Sequence, residues 1–242
     1  MTGALSTPAP QLSARPRVVL IHGAATTAAV WRELSESLAG IAEVITPQRR
    51  YSGLWDAELD DLSDLCRGSF VVGVSGGATL GLGLVQRGVP LLGAVLHEPA
   101  AGSLAPRLLD AVAAAMARGG PAAFGSALYG PGWAPSMLPA DPDAVTRDLA
   151  MFRSFEPTST HRSMAAVLLT VGGGSPTIRH DSVAAVAELL GARVAVIPGG
   201  LHAVHLESVP AFAAVISAEL AAATSTARTV DAARAHLSTK GT

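Results

Sequence analysis

Short apolar runs rich in β-branched residues, each followed by a helical pattern, constrain this chain more than any other feature. Residues 18–21, 42–46, 70–74, 91–96, 167–171 and 194–197 read as strands. Unbroken apolar runs of this length suit strands buried on both faces. The segments 27–38, 54–65, 76–86 and 182–190 read as helices between them, and 210–223 as a closing helix. Strands alternating with helices predict the α/β class: a mostly parallel sheet of about six strands with right-handed crossovers. The alternation fails once. Residues 100–162 hold no convincing strand, only helix-like segments at 104–117, 121–128 and 143–152 around a Pro- and Gly-rich stretch at 129–142. A helical insertion after the strand ending near Leu96 is therefore expected.

The boundaries follow from this reading. Residues 1–16, with Pro8, Pro10 and Pro16, form a flexible lead; 17–99 and 163–223 form the core; 100–162 are inserted; 224–242 make a polar tail expected to fray. The formal net charge of −2 and the lack of any Lys/Arg run argue against nucleic acid or an anionic membrane as partner. The single cysteine, Cys66, rules out a disulfide within the chain and argues against a Cys-based zinc site. It is expected to be a small buried apolar residue. The N-terminus has no long apolar stretch of the secretory type, and no segment reads as long and unbroken enough to span a bilayer. A soluble, cytoplasmic protein acting on a small molecule is the expectation. Its oligomeric state is left open.

In an open parallel sheet, loops at the carboxyl ends of the strands build the ligand crevice. The residues able to do chemistry here fall at such ends. Gly73-Val74-Ser75-Gly76-Gly77 follows a strand and opens a helix. A Ser on so tight a turn is lifted clear of the sheet and set at a helix N-terminus, where developing negative charge is stabilised. In a chain with 25 glycines the pentapeptide alone could be a plain Gly-rich turn; the flanking strand and helix favour Ser75 as nucleophile. Acyl transfer needs two N–H donors for its oxyanion. Gly76 supplies one, and Ala24, in the His22-Gly23-Ala24 loop after the first strand, is assigned the other. His22 is read as bracing that loop. The last strand leads through Pro198-Gly199-Gly200-Leu201 to His202, the expected general base, with His205 as its competitor. His97, His161, His180 and His236 are expected on the surface or in loops.

The segments 18–25, 73–77, 95–99, 171–176 and 198–207 together resemble the α/β-hydrolase superfamily over residues 17–222, and within it a small bacterial esterase-like subgroup. The resemblance implies no cofactor and no metal, and makes residues 100–162 a cap over the site. It departs from this chain in two places. The usual N-terminal antiparallel hairpin has no room in residues 1–16. Many relatives read Gly-Gly-Asp-Ser-Pro after the fifth strand, where this chain has Gly174 in place of the Asp. Some members carry the acid instead at the end of the strand beside the nucleophile strand, which here is Glu98. Glu98 is therefore the expected partner of His202, and Asp181, read mainly as a helix N-cap, is the alternative. From the cap, Phe124, Tyr129, Trp133 and Met151 are expected to contact substrate, with Leu128, Met137 and Phe152 near them. The implied activity is hydrolysis of a small to medium apolar ester, thioester or lactone. The alternatives are other chemistry on the same scaffold (a lyase, a cofactor-free oxygenase, a perhydrolase-like enzyme) or a catalytically weak binding protein. Ser rather than Asp at position 75 argues against haloalkane dehalogenase chemistry.

Overall fold

A computed structural model describes residues 15–159, 164 and 166–238, with side chains through residue 230. The expected lead falls almost wholly outside it, as does His161. Six strands form one parallel sheet: β1 (Arg17–Ile21), β2 (Glu43–Ile45), β3 (Phe70–Val74), β4 (Gly93–His97), β5 (Val167–Gly172) and β6 (Arg193–Ile197), in the order β2-β1-β3-β4-β5-β6. The helices are α1 (Arg32–Leu38), α2 (Trp55–Cys66), α3 (Gly76–Arg87), α4 (Asp110–Tyr129), α5 (Ala144–Arg153), α6 (Thr177–Leu190), α7 (Val204–Glu207) and α8 (Val209–Ser238).

The continuous apolar character of β1 and β3 has a direct cause. Side chains alternate across a strand, and here both faces are covered. Val18 and Leu20 join Phe70, Val72 and Val74 in a core layer with Trp31, Leu34, Phe212 and Ile216. Val19 and Ile21 point the other way, into a layer with Leu59, Leu80, Leu84 and the cap residues Phe124 and Phe152. Cys66 is a buried free thiol, pushed up to about 12 by its burial.

Between β4 and β5 the chain builds α4 and α5. Gly119 and Gly120 break α4 with non-helical backbone, Gly120 at φ +65°, and Pro121 restarts the helix. The cap is fastened to the core by polar bonds as well as apolar contact. Arg147 Nε donates to Tyr51 O at 2.8 Å, and Arg49 donates two bonds to Asp148, at 2.7 and 3.0 Å.

Three expectations are corrected. The tail does not begin at residue 224: α8 continues to Ser238. The run is Ala-rich, and Thr224, Thr226 and Thr229 each turn the hydroxyl back onto the carbonyl four residues earlier, satisfying it within the helix. Asp181 is not an N-cap; α6 begins at Thr177, behind Pro176, and Asp181 is exposed inside it. Residues Val209–Val230 are, by length and composition, apolar enough to cross a membrane. In the fold Phe212, Ile216 and Leu220 of this segment are buried against the core.

Candidate active site

The bend between β3 and α3 places Ser75 at φ +58°, ψ −123°, a conformation L residues rarely take. Its neighbours permit this. A Cβ at Gly77 would collide with the Ile21 carbonyl, and one at Gly73 would lie 2.6 Å from the Ala78 nitrogen. The small residues therefore let α3 start hard against β1 and β3. Gly76 opens α3, so its N–H lies in the first turn, which has no intrahelical acceptor. The Ala24 N–H finds no protein acceptor among the described residues.

The loop carrying Ala24 is held from three sides. Tyr129 donates to Ala24 O at 2.9 Å, Trp133 Nε1 to Ala25 O at 2.9 Å, and Tyr51 to Thr26 O. His22 is buried, accepts the Arg49 N–H on Nε2 at 3.2 Å and donates from Nδ1 to Gly23 O at 3.1 Å. Burial, then the charge of Arg49, holds this ring neutral, down to about 3.

His202 is buried on the loop after β6, and its Nδ1–H donates to Glu98 Oε2 at 2.7 Å. That bond fixes the tautomer and leaves Nε2 as an unprotonated acceptor. Nε2 is buried without a protein partner, and it makes no hydrogen bond to Ser75. Tyr129, whose hydroxyl is bonded to Ala24 O, stacks its ring on His202 at 5.6 Å and 21°. Burial, and after it the positive charge of Arg179, pull the imidazole down to about 4, against the pull of Glu98.

Glu98 is held on both oxygens. Oε1 accepts from the Gly172 N–H at 2.9 Å and the Ser175 hydroxyl at 2.5 Å. Oε2 takes His202, and Arg179 Nε stands 3.2 Å from the same oxygen. Burial would raise the carboxyl, but the His202 hydrogen bond and the positive charge of Arg179 hold it well below the usual carboxylate range. Glu98 itself sits at φ +47°, a second strained residue at a strand end. Where Gly174 replaces the expected Asp, the adjoining Ser175 and Gly172 thus serve the carboxylate from β4. Asp181 does not take part.

A narrow cavity of about 30 Å³ opens onto Ser75, Gly76 and Ala24. Its walls are Leu108, Leu109, Phe124, Leu128, Leu149 and Phe152, with Thr79, Glu98 and Arg179 as its polar part. Phe124, Leu128 and Phe152 therefore border it. Trp133 and Met151 do not: both are buried in the apolar core, and Trp133 spends its N–H on the Ala25 carbonyl. Tyr129 lies beside Ser75 and His202 rather than in the cavity wall.

His205 is buried with both ring nitrogens unpartnered, packed against Trp31 and Tyr129. Burial pushes it down to about 3. The expectation of a surface or loop place for His97 fails. It is fully buried at the end of β4, donating from Nε2 to Leu201 O at 3.1 Å and accepting from Thr170 on Nδ1 at 3.0 Å. It thereby ties down the residue just before His202. Sequence reasoning also passed over Arg179. One signal was available: a cation in the first turn of a helix opposes the helix dipole, so something else must hold it there.

A model of the alpha/beta hydrolase family matches residues 18–215. No curated protein sequence matches the chain. Among solved structures it is similar to a thermophilic esterase from Thermogutta terrifontis with malate bound, at 20% identity and TM-score 0.69, covering 87% of this chain and 91% of that one. An enol-lactonase from Burkholderia xenovorans LB400 matches at 16% identity and TM-score 0.68, over 87% and 93% of the two chains. MenH from S. aureus matches at 14% and 0.67, over 88% and 96%.

Proposed function

Because the chain belongs to the alpha/beta hydrolase family, we propose that it is a serine hydrolase cleaving a small to medium apolar ester, thioester or lactone through an acyl-enzyme on Ser75. The observation that carries this reading is the His202–Glu98 bond of 2.7 Å, which leaves Nε2 of a buried imidazole unprotonated. In the proposed cycle Nε2 takes the Ser75 proton as Oγ bonds to the substrate carbonyl carbon. The carbonyl electrons move onto oxygen, and the Ala24 and Gly76 N–H groups receive the charge. The tetrahedral intermediate collapses, the leaving group takes the proton from the imidazolium, and water repeats the sequence to release the acid. Hydrogen bonds of this kind are often long in unliganded enzymes and tighten on binding. In this reading substrate binding brings the Ser75 hydroxyl to His202 Nε2.

The narrow, chiefly apolar cavity and the lactonase and esterase likenesses support a small carboxylic ester of class EC 3.1. Treatment with a fluorophosphonate followed by peptide mass spectrometry tests the mechanism. The expected result is one adduct on Ser75, abolished in Ser75→Ala and strongly slowed in His202→Ala. An unlabelled protein, or an adduct elsewhere, would overturn the serine mechanism in favour of other chemistry or simple binding on this scaffold.

A further inference from the structure

Arg179 does not fit the plain hydrolase scheme. A general base needs its carboxylate partner to stabilise the imidazolium that forms in the transition state. Here Arg179 Nε stands 3.2 Å from the very oxygen that receives His202. One carboxylate thus faces two groups that would both be cationic during turnover. No other carboxylate relieves this among the described residues. Arg49, Glu58 and Asp148 are bonded to one another. His97 lies 3.5 Å from Glu98 Oε1, and His205 packs on Tyr129; burial keeps both neutral, His97 down to about 4 and His205 to about 3. Tyr129 is also held neutral by burial.

Beyond Glu98 the guanidinium makes no hydrogen bond or ion pair with the described residues, although its side chain is only 12% exposed. It lines the same cavity as Ser75, Gly76 and Ala24. A guanidinium carries five donors in a planar fork matched to a carboxylate. We propose that Arg179 is an anion subsite, so that the substrates of this site are esters carrying a second, free carboxylate a few bonds from the scissile carbonyl. Such a carboxylate takes up the unused N–H donors and restores the charge balance around Glu98. It also relieves the repulsion that Arg179 exerts on the His202 imidazolium, so the anionic substrate improves its own base. The apolar walls then hold the short chain joining the two ends. This inference rests on the hydrolase reading above and replaces its apolar ester with an anionic one.

The test compares monomethyl succinate with its uncharged isostere, methyl 4-methylpentanoate, by acid release at constant pH. Wild-type protein is expected to favour the half-ester by at least ~10-fold in kcat/KM. Arg179→Met is expected to cut the wild-type preference for the half-ester over the isostere by at least ~10-fold, on the scale of a charge-assisted hydrogen-bond pair. The acid limb of the isostere profile should move to higher pH in this variant, since a like charge beside His202 is gone. Arg179→Lys keeps the charge without the fork, should retain part of the preference, and serves if the Met variant fails to fold. Wild-type indifference to the substrate's charge would overturn the proposal, as would equal losses on both esters. If neither ester turns over and Ser75 resists the fluorophosphonate, the hydrolase reading fails by itself. The subsite is then judged by calorimetry with succinate, which must bind wild type and not Arg179→Met.

Discussion

Two buried clusters of charge border the cap, and they are built to opposite ends. In the first, Arg49 Nε donates to Glu58 at 3.0 Å and its two terminal nitrogens clasp Asp148 at 2.7 and 3.0 Å. Glu58 also receives the Ser52 N–H at 2.7 Å and the Ser52 hydroxyl at 2.9 Å. Each guanidinium nitrogen is bonded, with the rings of Tyr51 and Phe152 over it. In the second, Glu98 is saturated but its partners are not: His202 Nε2 is buried and bare, and the Arg179 guanidinium, partly open to the cavity, bonds no described residue beyond Glu98. Burying a polar group without a partner is costly, so a fold tolerates it only where the surroundings enforce it. In the reading proposed above, the first cluster fastens the cap and the second receives a ligand.

Arg49→Met should separate the two most sharply. It leaves two buried carboxylates unpaired, and a loss of about 3–5 kcal/mol in unfolding free energy is expected from urea titration. Folded molecules should keep most of their activity toward esters. A loss below ~1 kcal/mol would show that the first cluster fastens nothing. Glu98→Gln should do the reverse, lowering kcat/KM by at least ~100-fold while costing less stability than Arg49→Met. Were it the more damaging change to stability and the milder to rate, the contrast would collapse.

Acid acts on both regions through four buried imidazoles. His22 and His205 fall to about 3, and His97 and His202 to about 4, against about 6.5 when unfolded. A lowered folded value means the unfolded chain binds more protons between these limits, so stability is full above about pH 6.5 and is lost as pH falls toward 4. Glu98, also lowered, adds to the loss below the carboxylate range. Scanning calorimetry across pH 7 to 4 should find Tm falling steadily; a flat profile would mean the rings are not held neutral. The smallest effect is reserved for Asp181→Asn, an exposed position inside α6, which should change kcat/KM by less than about 2-fold. A loss matching that of Glu98→Gln would transfer the acid role to Asp181.

The sheet was legible because its strands are short, unbroken apolar runs rich in β-branched residues, and all six lie within a few residues of those runs, although the edge strands β2 and β6 are largely uncovered. The end of α8 was not, since Ser and Thr read as loop formers until their hydroxyls are seen bonded to the preceding turn. At the candidate site, Ser75, Ala24, Gly76 and His202 were expected from motifs at strand ends and Glu98 from the family resemblance; the fold puts Glu98 on His202 and Ser75, Gly76 and Ala24 on one cavity. The cap gave no such guide. Tyr129 and Trp133 look like pocket aromatics in sequence, and only the fold reveals that their polar atoms are committed to backbone carbonyls. Arg179 escaped because its importance lies in a distance to Glu98 that no local pattern encodes.

Those two aromatic donors have a bearing on how the molecule can move and evolve. The peptide planes of Ala24 and Ala25 are aimed from above, by residues that arrive more than a hundred positions later in the chain. A swinging lid would release them at each opening and let the Ala24 amide drift from its target. Under the proposed mechanism substrate would enter past side chains that border the cavity, such as Phe152. A homologous cap grafted in for new specificity would have to bring its own pair of donors to the same two oxygens.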